Sequence, residues 1–176
     1  MIVIDTSVVI DRPVGLCFDF MARGYFDHLR RWNSAVVEVK KLTDGPVGAG
    51  TRGRQMHRIR GKDHGRSIVV TEFQPDALFA LNVAEPEGAE RHYSCRYTFA
   101  PEEGNRTRVD VHFELDWNEL PFKLFRPLVR RSIARSIEMD VQRRLKASIE
   151  ELAEPSGIMG QNQPMVVKPT RGSSKG

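Results

Sequence analysis

His57 is the residue best suited by type and spacing to acid–base chemistry. It sits in the stretch from Arg52 to Ile59, which alternates two kinds of side chain. Arg52, Arg54, Met56 and Arg58 share one face of the implied strand; Gly53, Gln55, His57 and Ile59 share the other. A row of arginines belongs in water, so Gln55 and His57 are expected to face inward. An inward imidazole without an acidic partner is poorly solvated when charged, so burial lowers its pKa. The neutral ring can take a proton from a substrate carbon or hydrogen-bond a ligand hydroxyl or carbonyl. Tyr93, Cys95 and Tyr97 alternate with His92, Ser94 and Arg96, adding two phenols and a thiol to the interior, with Asn82 a further candidate. Plainer readings stand beside these. A strand histidine is satisfied by a neighbour, a core tyrosine sends its hydroxyl to the rim, and Cys95 has no cationic neighbour to make it reactive.

The familiar reactive motifs are missing from the sequence. There is no nucleotide loop, no His/Cys cluster at metal-ligand spacing and no nucleophile elbow, so neither cofactor nor metal is expected. Gly48-Ala49-Gly50 reads as a hairpin turn. His64, in the turn-like Gly61-Lys62-Asp63-His64-Gly65, reads as an exposed loop residue. Cys17 and Cys95, far apart in apolar-patterned segments, read as packed thiols in a reducing compartment.

The elements that must position these residues follow from periodicity. Ile2, Ile4, Thr6, Val8 and Ile10 give a first strand. Asp11-Arg12-Pro13 ends it, with Asp11 as helix cap and Pro13 in the opening turn. Leu16, Cys17, Phe20 and Met21 then pack one side of a short helix, and a second short helix runs from Tyr25 to Arg31. Six strands with short turns follow. The first carries Ala35, Val37 and Val39; the last is the cleanest, with Val109, Val111, Phe113 and Leu115 on one face. Such a succession predicts an antiparallel meander. The chain ends in a long helix, from about Asn118 to Ala153. Leu120, Leu124, Leu128, Ile133, Ile137, Val141, Leu145 and Ile149 form its stripe, and a kink is expected near Arg126–Pro127. A sheet with a long apolar helix across its concave face is an α+β arrangement. Residues 154–176 have no periodicity and read as a disordered tail.

The 176 residues suit a single domain, and 40% hydrophobic with 28% charged residues is ordinary globular composition. The net charge of +4 is too small to imply nucleic acid. No apolar run is long enough to span a bilayer and the N-terminus lacks signal-peptide features, which makes the cytoplasm the default expectation.

Ile10-Asp11-Arg12-Pro13 leading to Phe18, then Trp32-Asn33, Gly48-Ala49-Gly50-Thr51, Thr71-Glu72-Phe73-Gln74-Pro75 with Leu78, and the final helix carry a resemblance. Across residues 1–153 the chain resembles the START-like helix-grip superfamily, and within it the polyketide cyclase/dehydrase and lipid-transport group. The resemblance implies a curved seven-stranded antiparallel sheet around a long C-terminal helix, with two short helices after strand one. It also implies a cavity for an apolar or aromatic small molecule. Gln55, His57, Phe79, Leu81, Tyr93 and Cys95 are expected to line it, with Tyr97, Val111 and Phe113 from later strands and Leu128, Ile133 and Ile137 from the helix. No shared catalytic motif is carried over, so His57 is the one catalytic candidate.

Three functions fit. The leading one is binding or transport of a hydrophobic small molecule. The alternative is a cyclase or dehydratase using His57 or a tyrosine as acid or base, and the third is a structural or protein-interaction domain. The stripe Arg52, Arg54, Arg58 and Arg60 reads as a solvated face, or more sharply as a contact for an anionic membrane. It lacks interleaved aromatics, so nucleic acid is not an expected partner.

Overall fold

The computed structural model describes residues 1–59, 61–84, 91–117 and 120–152, and only the backbone of residues 59, 91, 117, 120–126 and 129. Arg60, the tail 154–176 and the side chains of Leu120, Leu124 and Val129 lie outside the described residues.

Seven strands make one antiparallel sheet: β1 (Ile2–Ile10), β2 (Val36–Lys41), β3 (Arg52–Ile59), β4 (Lys62–Gln74), β5 (Leu78–Ala84), β6 (Arg91–Glu102) and β7 (Arg106–Trp117). Their spatial order is β1-β7-β6-β5-β4-β3-β2. Consecutive strands from β2 to β7 are therefore neighbours, and β1 closes against β7. Register fixes the faces. Ile4 lies opposite Phe113 and Val8 opposite Val109, while Cys95 joins Leu81 to Phe113, so the apolar members of alternate positions gather on one face.

Two short helices, α1 (Val14–Phe18) and α2 (Tyr25–Trp32), flank a turn of π-helix at Asp19–Arg23. They bury Cys17, Phe18, Phe20, Met21, Leu29 and Trp32. Phe18 meets Phe73 and Phe99 edge-on with ring centroids 5.2 Å apart. Phe79 stacks on Tyr97 at 5.9 Å, and Trp32 meets Tyr97 edge-on. These rings fill the end of the concave face beneath α1 and α2.

After β7 come α3 (Leu120–Met139), a π-helical stretch (Asp140–Leu145) and α4 (Lys146–Glu150). Helix α3 runs on through Pro127, and a departure from α geometry falls at Asp140–Leu145. Val141, Leu145 and Ile149 are buried. Asp140 is buried too and accepts a hydrogen bond from Ser34 Oγ at 3.3 Å, tying the helix to the segment after α2. Burial raises the Asp140 pKa.

The Ile10-Asp11-Arg12-Pro13 stretch holds the far end of this helix. Arg12 donates to the carbonyls of Glu150 and Leu152, placing a cation at a helix C-terminus where free carbonyls collect. The Asp11 N–H donates to Glu150 Oε1 at 2.8 Å. Asp11 does not cap α1, as its type suggested: Pro13 holds the cap position and no side chain bonds there.

Three further expectations are corrected. β2 buries Val36 and packs Val39, because a bulge between Val36 and Glu38 shifts the face that Val37 was expected to share. Asn82 is exposed, since Leu81 and Val83 on either side take the inner face. Leu128 is 66% exposed instead of facing inward. From Leu128 to Ile133 is five residues, a rotation of about 140° at 3.6 residues per turn, so the two apolar runs lie on different faces.

Candidate functional site

Strand β3 is divided as its alternation predicts. Arg52, Arg54 and Arg58 are exposed, while Gly53, Gln55 and His57 are buried. Gln55 is 1% exposed and His57 is 5% exposed. A side chain at Gly53 would collide with the Phe26 ring of α2, so glycine there lets that helix close over the sheet.

The turn after β3 is tighter than its composition suggests. Gly61 sits at φ +78° and β4 begins at Lys62, so Lys62 to Gly65 belong to a strand and not to a loop. His64 lies opposite His57, and Arg66 opposite Gln55. Both are half-buried, which overturns the reading of His64 as an exposed loop residue. Arg66 escaped the sequence reading for the same cause. A two-residue turn would have put it in register with Gln55, and that alternation was the available signal.

Gln55, His57, Arg66 and Tyr93 form one polar group. Gln55 Nε2 donates to the Tyr93 hydroxyl at 2.7 Å. Arg66 Nη1 lies 3.5 Å from His57 Nδ1, and its guanidinium carbon is 5.4 Å from the centre of the Tyr93 ring. Phe113 lies beside Tyr93, ring centroids 5.2 Å apart. Tyr93 pairs with Leu115 in register, two residues before the end of β7, so this group sits toward the end of the sheet from which the chain leaves for α3.

Burial, then the positive charge of Arg66, then His64, lower the His57 pKa to about 3. The ring is neutral at pH 7. A guanidinium can only donate, so the Nδ1 it faces is the acceptor nitrogen and the ring hydrogen is on Nε2. Among the described residues that buried Nε2 has no hydrogen-bond partner, and neither has Gln55 Oε1. The Tyr93 pKa is raised, chiefly by burial, with hydrogen bonds from Gln55 and Arg66 pulling the other way. Burial also pushes the Cys95 thiol up to about 12, leaving it protonated and unreactive.

The other expected lining residues divide. Phe79, Leu81, Tyr97 and Val111 lie within the packed core, Ile137 packs against it half-buried, and Ile133 is half-buried. Leu128 faces solvent. An open cleft of about 440 Å³ is lined by Arg23, Phe26, Lys40, Lys41 and Val47 among others and reaches none of the expected site residues. Among the described residues no cluster of His, Cys, Asp or Glu could hold a metal, and no helix is long and apolar enough to cross a membrane.

Solved structures with this arrangement share little sequence with it. The Zhui aromatase/cyclase from a Streptomyces species aligns with TM-score 0.65 and 15% identity, over 88% of this chain and 97% of that one. A Thermus thermophilus protein aligns with TM-score 0.65 and 20% identity, over 84% and 96%. A hypothetical Helicobacter pylori protein gives 0.66 and 12%, over 83% and 86%. At such identities the likeness concerns the fold alone, the helix-grip arrangement of a curved seven-stranded sheet and a C-terminal helix. No curated protein sequence matches this chain. The family model described as polyketide cyclase/dehydrase and lipid transport matches residues 1–153, and the chain belongs to that family.

Proposed function

We propose that this protein binds a hydrophobic small molecule against the concave face of its sheet, with the molecule's polar group held by Gln55 and His57. Membership of the family supports a hydrophobic-ligand or cyclase role in general terms. The observation that carries the finer reading is the pair of buried polar atoms, Gln55 Oε1 and His57 Nε2, which have no hydrogen-bond partner among the described residues. Leaving such atoms unsatisfied costs about 1–3 kcal/mol each, so a ligand that meets both recovers that cost. One is an acceptor and the other a donor. A group carrying both an O–H and an oxygen acceptor, such as an alcohol, an enol or a carboxylic acid, complements them.

Binding is favoured over catalysis because of the His57 pKa. A base with a pKa of about 3 is too weak to abstract a carbon-bound proton efficiently at pH 7. The cyclase reading draws on Arg66 beside the Tyr93 phenol, a pair able to stabilise an enolate oxygen, and on the aromatase/cyclase among the structural neighbours.

Native mass spectrometry of the purified protein should find a retained apolar compound. In fluorescence titration with 1-anilinonaphthalene-8-sulfonate, His57→Gln and Gln55→Leu should each weaken binding by about 2- to 12-fold, the range expected for one hydrogen bond. Any retained compound that is converted by the wild type, with conversion cut about 100-fold or more in His57→Gln, would move the protein to the cyclase class. Unchanged affinity in both variants, with nothing retained, would defeat the proposal.

A further inference from the structure

The solvent face of α3 has a composition that the concave-face site does not use. Leu128 and Met139 are 66% and 49% exposed. Arg131, Ser132 and Arg135 are exposed between them. At 100° per residue these five positions fall within about 100° of one another around the helix, a single stripe with an aliphatic residue at each end. Arg143, also exposed, adds charge just beyond the stripe, whereas exposed Arg130 lies about 150° around the helix from its middle. Arg130, Arg131, Arg135 and Arg143 make no ion pair in the described structure, whereas Arg144 pairs with Asp140 at 3.5 Å.

The outer face of the sheet is different. There Arg58 is held by Asp63 at 2.7 Å, Arg96 by Glu72, and Arg108 by Asp110 at 3.2 Å. His112 lies between Asp5 and Glu114. Several charges on the outer sheet face are therefore neutralised by neighbours, although Arg52 and Arg54 make no ion pair among the described residues. What sets α3 apart is the pairing of unneutralised arginines with the more exposed aliphatic residues Leu128 and Met139, so the expected membrane contact moves from the arginine stripe of β3 to this helix.

We propose that the Leu128–Met139 face of α3 docks the protein on an anionic lipid bilayer. Guanidinium groups meet lipid phosphates while Leu128 and Met139 enter the boundary between headgroups and acyl chains, as a basic amphipathic helix lying in the interface does. A second copy of the chain fits poorly, because a two-fold contact here would oppose Arg131 and Arg135 to the same unpaired arginines. Nucleic acid would leave Leu128 and Met139 without a purpose, as aliphatic side chains offer bases no stacking surface.

The test is co-sedimentation of the full chain with vesicles, with no small-molecule ligand present, so its outcome is separate from that of the Gln55–His57 reading. Binding is expected to phosphatidylcholine vesicles containing phosphatidylglycerol and not to phosphatidylcholine alone, and should weaken at high salt. Arg131→Gln with Arg135→Gln should reduce it about 25-fold, about fivefold for each arginine near an anionic surface. Arg131→Lys with Arg135→Lys should retain it, Leu128→Ser should lower it, and Arg52→Gln on the sheet should leave it unchanged. All of these positions are exposed, and unchanged thermal midpoints confirm that the variants are folded. Equal binding to neutral vesicles, or no loss in the double glutamine variant, overturns the proposal. So does a dimer dispersed by Leu128→Ser, or duplex DNA binding lost in the double glutamine variant while vesicle binding persists.

Discussion

His57 and His112 show how two histidines of one sheet acquire opposite acid–base behaviour from the faces they occupy. His57 is buried and its pKa falls to about 3, mainly through loss of solvent. The unfolded chain therefore takes up a proton from about pH 6.5 downward while the folded chain does not. Its neutral burial is fully favourable above that value, and stability is lost as pH falls from 6.5 toward 3. His112 is half-exposed between Asp5 and Glu114, whose hydrogen bonds raise its pKa. Its contribution is fully present below the ordinary histidine range and lost as pH rises through the raised value. Urea melts of wild type and His57→Gln at a series of pH values should show the difference between them shrinking as pH falls from 6.5. His112→Asn should lose most at low pH and least above the histidine range. A His57→Gln difference independent of pH would show that the imidazole is solvated in the folded protein.

The C-terminal helix is two segments with different duties. From Asp140 onward it is core: Val141, Leu145 and Ile149 are buried, and Arg12 holds its final carbonyls. Leu145→Ala should cost about 2–5 kcal/mol, the loss of buried aliphatic atoms together with the void they leave. Leu128→Ala, at an exposed position on the same helical run, should stay within about 0.5 kcal/mol. Equal losses in denaturant melts would contradict this division. The α2–β3 contact offers a second check on element packing. Gly53→Ala forces the Phe26 ring to move, and overpacking of this kind costs about 1–3 kcal/mol. The variant should melt earlier, and adding Phe26→Leu should recover part of the loss if the collision is the cause.

For the whole molecule, the core of the described residues extends through α4 to Leu152. Ile149 is fully buried and Leu152 packs against the same cluster, while Arg12 reaches both Glu150 and Leu152. A chain ending at Glu154 should keep its thermal midpoint and its strand-rich circular dichroism. A cooperative loss of structure on truncation would mean that residues 155–176 dock on the domain.

Periodicity alone determined the order of strands and helices, the inward row of β3 and the buried half of the last helix. Alternation by twos and recurrence near 3.6 are local properties, legible wherever they persist over several residues. The burial of Gln55 and His57 was legible because three arginines on the opposite face oblige the other face to turn inward. What depended on tertiary structure was everything that a one- or two-residue offset can change. The bulge in β2 exchanged Val37 for Val36 at the core. A turn confined to the vicinity of Gly61 lengthened β4, and with it carried His64 and Arg66 to the inner face beside His57 and Gln55. A five-residue step rotated Leu128 away from Ile133 and left it in solvent. Strand pairing selects among such offsets through long-range hydrogen bonds and packing, so the composition of a turn and the average spacing of a stripe do not contain the answer.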